Sequence, residues 1–315
     1  MRYFIVIATA ACLLSIPARS SGSNVFVEIG LETRYVHGDS TYYISGDDPV
    51  LGSWASELEF PLNNLTAGVS LVVGSRHEKN SSQTKGQFCL AWLRTVSENA
   101  GTMKDSDWIE NDAGCGEPPH AGRDMYTESD ARVQGTILDI NYAYHFRCGN
   151  RWTLGPMIGY RSQKFEYEIY GLRGMYWTTP VYGAGRVLDY EITYKIPYIG
   201  LSSDLLLGRN NQFQLHLGFA SSDWAKAEDR DNHILRYKLH EGDCEGEAYL
   251  VNVMLGWKFR SRWILGLGGE YVDINTSGRQ HQRFYAGPFV GTTYDVDDKI
   301  TACSWSTIFK ISYAF

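Results

Sequence analysis

The sequence predicts an all-β protein: a ten-stranded antiparallel transmembrane β-barrel that extends beyond the outer leaflet. Three observations carry this expectation. Apolar residues alternate with polar or small ones; the chain holds 21 Tyr and 9 Trp beside 32 Gly; and beyond the first residues no apolar run reaches the length of a membrane-spanning helix. A soluble sandwich also alternates, but it seldom makes its apolar face so aromatic at the strand ends. Aromatic girdles around an apolar band, with small and polar residues turned inward, are what a barrel in a bilayer requires.

The elements follow in order. MRYFIVIATAACLLSIPARS joins Arg2 to an apolar run from Tyr3 to Ile16 and then small residues, the pattern of an export signal cut after Ser20. Cys12 lies inside that run, which speaks against a lipoprotein anchor. Residues 21–315 then form one barrel domain, with no internal repeat or linker. Removal of Arg2 and Arg19 takes the formal net charge from −7 to −9. That balance disfavours nucleic acid and favours cationic partners.

Ten strands run from near Val25 to Phe315. The alternation from about Trp54 to Gly74 is longer than the about 9–11 residues a tilted strand spends in a bilayer, so the barrel should project from it. Leu138, Ile140, Tyr142, Tyr144 and Phe146 share one face, opposite Asp139, Asn141, Ala143 and His145. Tyr249, Val251, Val253, Leu255, Trp257 and Phe259 repeat the pattern. So do Phe309, Ile311, Tyr313 and Phe315 in the last strand, and its terminal Phe resembles the assembly signal of bacterial outer-membrane barrels. RCGNR at Arg147 to Arg151, RNNQ at Arg209 to Gln212 and Ser261-Arg262 read as short turns. Gly101 to Gly122, Gly171 to Arg186, Glu228 to Leu235 and Gly278 to Lys299 read as long loops. Short turns alternating with long loops give the barrel one quiet end and one functional end.

Five cysteines follow the signal: Cys89, Cys115, Cys148, Cys244 and Cys303. Their odd number and lack of CxxC spacing argue against zinc and against a disulfide framework, leaving either a Cys115–Cys244 bridge or free thiols.

The carboxylates are the unexpected part. KDSDW sets Asp105 and Asp107 two residues apart, and EDRDNH does the same for Asp231 and His233. Strand geometry would point each pair one way, and the outer ends of strands three and seven can face each other across the mouth. An aspartate beside a histidine fixes the imidazole tautomer and raises its basicity, and an opposing Asp pair that shares a proton can hold a water. Solvated loop carboxylates and an oxygen-rich calcium site are the other readings, although the EF-hand spacing is absent.

At these residues the sequence resembles the omptin family of outer-membrane proteases. GTMKDSDW is similar to the family segment with its paired aspartates, and SSDWAKAEDRDNH to the one with its Asp-His dyad. KIPYIGL, Lys195 to Leu201, and Gly159-Tyr160 resemble family strand segments. The resemblance implies an endopeptidase in the outer membrane, its site facing outside, in which Asp105, Asp107, Asp231 and His233 activate water without a metal. It implies a pocket for basic side chains formed by Asp229 and Asp39, hence peptide or protein substrates with basic residues. It also implies outer-membrane lipid as a partner. Tyr160 and Lys164 fit the family's lipopolysaccharide-binding pattern, whereas Ser162 and Thr193 replace charged groups of it; lipopolysaccharide is the one accessory molecule expected. A non-catalytic porin or adhesin of the same barrel superfamily is the alternative.

Overall fold

A computed structural model describes residues 25–48, 52–75, 85–109, 123–260 and 262–315. The signal segment, residues 1–20, and Cys115 lie outside them. The strands are β1 (Val25–Asp48), β2 (Gly52–Pro61), β3 (Asn64–Ser75), β4 (Lys85–Thr95), β5 (Asn99–Ile109) and β6 (Met125–Arg147). They continue as β7 (Trp152–Tyr176), β8 (Thr179–Leu207), β9 (Phe213–His233), β10 (Lys238–Lys258), β11 (Trp263–Phe284) and β12 (Thr293–Ala314). All pairings are antiparallel, and β12 pairs with β1 from Ala314↔Glu28 to Asp297↔Ser45, which closes the ring.

Twelve segments fill ten places in the wall. β2 and β3 both pair with β1 and lie end to end, as do β4 and β5 against β6. The first break follows Pro61, which has no N–H to give the ladder; the Leu62 amide turns to Gly38 O at 2.8 Å and Asn64 Nδ2 to Leu62 O at 2.8 Å. The second is matched by a bulge between Asn99 and Gly101, where Gly101 sits at φ 117° and donates to Asn99 Oδ1 at 3.2 Å. Only glycine adopts that backbone readily.

Several segments expected as long loops are strand instead. β7 and β8 leave only Trp177 and Thr178 between them, and β11 and β12 shorten their loop to residues 285–292. Glu228 to His233 belongs to β9, and Asp105 and Asp107 belong to β5. The reason is physical. Above the bilayer the outer face of a strand meets water, so charge and glycine no longer signal a loop there. Strands of 21 to 29 residues extend roughly 70–95 Å at about 3.3 Å per residue, far more than an apolar band about 25 Å tall needs.

That band surrounds the end with the short turns. Leu31, Ile158, Ile199, Leu201, Leu267 and Phe309 face outward and are exposed. Trp263 at one girdle and Tyr271, packed on Trp305 at 4.4 Å, at the other bracket nine residues of β11. Phe315 completes the lower edge: its amide donates to Val27 O at 2.9 Å and its ring packs on Tyr313 at 4.9 Å. Deletion of Phe315 is expected to lower the heat-modifiable, outer-membrane form of the protein in cells several-fold. Unchanged levels would show that the last aromatic residue has no part in assembly.

Inside, the barrel has two storeys. Within the bilayer an open cavity of about 910 Å³ is roofed by an ion-pair layer: Arg34 with Glu32 (2.6 Å) and Glu270 (2.7 Å), and Arg161 with Glu270 (2.7 Å) and Asp139 (3.4 Å). Each buried guanidinium meets two carboxylates, the condition under which buried charge is tolerated. Above it a single apolar cluster draws side chains from every position in the wall, among them Val36, Phe60, Met103, Tyr167, Ile192 and Ala227. Phe60 stacks on Tyr190 at 4.0 Å. This packed layer separates the cavity from the mouth.

Candidate active site

β5 carries the first half of the site. Its inward residues are Met103, Asp105 and Asp107, while Lys104 points outward and pairs with Glu59 at 2.6 Å. The upper end of the strand is fixed by Asp124, whose carboxylate accepts from the Ile109 amide at 2.7 Å and from Trp177 Nε1 at 3.0 Å. Asp105 is buried, and its carboxyl is pushed well above the usual range by that burial and then by Asp107; Arg236 opposes this and Asp231 adds to it. Arg236 comes from the single 3-10 turn after β9, Ile234–Arg236, and its Nη2 lies 3.9 Å from Asp107 Oδ2, linking the two sides of the mouth.

β9 carries the second half. Ala225, Ala227, Asp229, Asp231 and His233 face inward in strict alternation, while Lys226, Glu228 and Arg230 face out. His233 Nε2 is 2.8 Å from Asp231 Oδ2, and the Tyr42 hydroxyl donates to the same oxygen. Burial alone would raise Asp231, but facing His233 and His240 outweigh it and hold the carboxyl far below the ordinary range. The surroundings thus favour the ionised form of Asp231 and the protonated form of Asp105. Environments that drive two carboxyls apart in this way are characteristic of functional pairs.

The structure separates the two residues expected to form the acidic pocket. Asp39 lies on the outward face of β1, exposed, beside Glu59 and Lys104. Alternation dictates this. Ser40, Tyr42 and Ile44 point inward, so Asp39 cannot, and a one-residue slip moves a side chain to the other face. Asp298 on β12 joins Asp229 instead. The two carboxylates converge over Gly242, where a Cβ would lie 2.3 Å from Asp229 Oδ1 and 2.6 Å from Asp298 Oδ2. Burial pushes Asp298 up to about 7, and burial followed by the Asp298 and Asp231 charges pushes Asp229 well above its ordinary value. Neither carboxylate makes a hydrogen bond of full geometry among the described residues; the Gly242 amide and Tyr190 hydroxyl beside Asp229, and the Lys299 amide beside Asp298, offset their burial only in part. Buried oxygens so weakly satisfied are costly in a finished fold and ordinary in a site that awaits a ligand.

Four residues escaped the sequence reading: Tyr42, Arg236, His240 and Asp298. Tyr42 and Asp298 carry no local signal, because their strands bring them from the chain's two ends. His240 was recoverable. Once the hairpin turns at Ile234–Tyr237, antiparallel register sets His240 opposite Asp231 and Gly242 opposite Asp229. Tyr160 and Lys164 do project outward on β7, 39 % exposed in the case of Tyr160, but Lys164 is already paired with Glu166 at 2.8 Å and Glu191 at 2.9 Å. Cys244 is a buried free thiol beneath the pocket, its Sγ 3.7 Å from Asp298 O.

Fold and site together define a transmembrane β-barrel with a buried acid and imidazole cluster at one mouth. The sequence profile of the Omptin family matches residues 77–278, and this chain belongs to the omptin family. It is similar to the plasminogen activator of Yersinia pestis, with 25% identity over 264 residues covering 79% of this chain and 78% of that one. Outer membrane protease OmpP of Escherichia coli (strain K12) is 25% identical over 164 residues, about half of each chain (49% and 50%). The crystal structure of outer membrane protease OmpT from Escherichia coli superposes with a TM-score of 0.74 at 17% identity, covering 95% of this chain and 99% of that one. The protein is accordingly an outer-membrane barrel of a protease family.

Proposed function

We propose that the mouth is a water-activating endopeptidase site that cleaves next to basic residues. One observation carries the reading: Asp105 and Asp107 from β5, and Asp231 and His233 from β9, all turn into the same mouth, with His233 Nε2 2.8 Å from Asp231 Oδ2. A proton on Nε2 facing the Asp231 anion leaves the His233 lone pair on Nδ1. That lone pair takes a proton from water as the water oxygen attacks the scissile carbonyl. Protonated Asp105 donates towards the oxygen that gains charge, as a buried neutral carboxylic acid can. The imidazolium then returns its proton to the departing amine, which balances the step.

Asp229 and Asp298 are the groups suited to a guanidinium or ammonium. Two buried carboxyls that share protons become ionised together when a cation arrives. Outside, the lipid-facing Tyr160 and Lys164 are where a lipopolysaccharide headgroup would sit. Refolded protein given matched fluorogenic peptides with Arg, Lys or Gln before the bond, with and without lipopolysaccharide, tests the reading. Arg and Lys peptides should be cut at least about 100-fold faster than Gln peptides. Equal rates would overturn the pocket assignment, and no cleavage in either condition would overturn the peptidase.

A further inference from the structure

We propose that the lower rim of the barrel is a binding surface for anionic phospholipid headgroups of the inner leaflet, whether or not the opposite mouth cleaves peptides. Charge is segregated along the barrel. The three short turns at this end, with the strand residues that bound them, carry Arg147 and Arg151 (β6 to β7), Arg209 (β8 to β9) and Lys258, Arg260 and Arg262 (β10 to β11). They hold no aspartate or glutamate, in a chain whose formal net charge is −7. Arg147 turns back on Gly149 O at 2.9 Å and Arg262 on the Tyr313 hydroxyl at 3.1 Å, but none of these six cations forms an ion pair among the described residues. Like charges gathered without counter-ions repel one another, and an anionic surface relieves that.

Aromatic side chains fix the height of the cations. Trp152 follows Arg151, Trp257 and Phe259 flank Lys258, and Trp263 follows Arg262; all four rings are exposed. The Arg262 guanidinium lies 6.0 Å from the centre of the Tyr313 ring, which meets Trp263 edge-on at 5.2 Å. Tryptophan and tyrosine settle at headgroup level in a bilayer, and arginine beside them reaches the phosphates. All of the cations except Arg209 also border the opening of the cavity. A soluble anion needs only those charges, however, whereas the exposed rings packed among them suit a phosphate that carries acyl chains. The turns are also spread around the ring, β6 and β10 being four strand positions apart, which suits several small headgroups better than one large partner. The surface is distinct from the lipopolysaccharide seat proposed at Tyr160 and Lys164: from Trp152 to Lys164, β7 advances about 40 Å along its length at about 3.3 Å per residue, towards the other leaflet.

The test uses the full refolded barrel in detergent micelles, titrated with phosphatidylglycerol or with phosphatidylcholine of the same acyl chains, bound lipid being counted by native mass spectrometry. Phosphatidylglycerol should bind at least about 10-fold more tightly, and its advantage should shrink as salt rises. The combined change Arg147→Gln, Arg151→Gln, Arg260→Gln and Arg262→Gln, checked for the heat-modifiable gel shift of an intact barrel, should abolish the preference, while Lys164→Gln should keep it. Glycerol phosphate, which lacks the acyl chains, should not displace the lipid at about 100-fold excess. Should the combined variant not fold, Arg151→Gln and Arg260→Gln singly should each weaken phosphatidylglycerol binding by about 5-fold, and affinities equal to the wild type in both would overturn the surface. A wild type with no preference between the two lipids, or a preference that survives the combined change, overturns it as well. Loss of the preference in Lys164→Gln would move the lipid to the outer-leaflet seat. Displacement by glycerol phosphate would make the rim a site for a soluble anion, and binding to isolated peptidoglycan without any lipid preference would make it a site for that polymer; either overturns the lipid assignment.

Discussion

Replacement of His233 by Ala is expected to lower kcat/KM for peptide cleavage by about 10²–10⁴-fold, the usual cost of losing a general base. Asp105→Asn should lower it too, because an amide N–H is a much weaker donor to the developing oxyanion than the carboxylic acid whose protonated form burial favours at Asp105. The double variant should lose far less than the product of the single losses, since groups that act in one transition state fail together. Both side chains sit above the apolar cluster rather than within it, so heat-modifiable migration should be unchanged. Independent, multiplying losses would place the two residues in separate steps. Retained cleavage in Asp105→Asn would show that the β5 carboxylates are only a hydrated pair, and a porin or adhesin would show no cleavage in any variant.

The second large effect is on specificity. Asp298→Asn removes a charge and almost no volume from the carboxylate pair over Gly242. A charge-assisted hydrogen bond to a basic side chain contributes about 1.5–3 kcal/mol, so cleavage of Arg peptides should fall by about 10- to 100-fold while Gln peptides change little. Asp39→Asn, on the outer wall, should change neither. An equal fall for both peptides in Asp298→Asn would assign it a structural role. The pH dependence follows from the same group. Burial pushes its carboxyl up to about 7, so KM for Arg peptides should fall as pH rises from about 6 to about 8. Stability runs the opposite way: a raised carboxyl favours the ligand-free fold when protonated, and that contribution is lost as pH climbs through about 7. In Asp298→Asn both slopes should flatten.

Alternation alone, over segments such as Leu138–Phe146 and Tyr249–Phe259, determined the class of fold. One face of a membrane strand must be apolar and aromatic whatever its neighbours are. It also determined that Asp105 shares a face with Asp107, and Asp231 with His233, because strand geometry is local. Above the bilayer the signal failed. Water bathes the outer face there, so Arg173, Arg186, Glu228 and Arg230 resembled loop residues while standing in strands β7, β8 and β9.

Everything that depends on register was left to the tertiary structure. Asp39 faces away from Asp229, and Asp298 faces it instead, because one residue along a strand reverses the side chain. Closure of β12 on β1 brought Asp298, near the end of the chain, into the same mouth as Asp229. Tyr42 reached Asp231 from 189 residues away. The strengths of the acids were decided at that level too: burial beside Asp107 pushes the Asp105 carboxyl up, and the two imidazoles that face Asp231 hold its carboxyl down. A sequence fixes which groups a strand can present. Only the closed ring sets which of them meet and how little water lies between them, and on that the chemistry of a buried carboxylate depends.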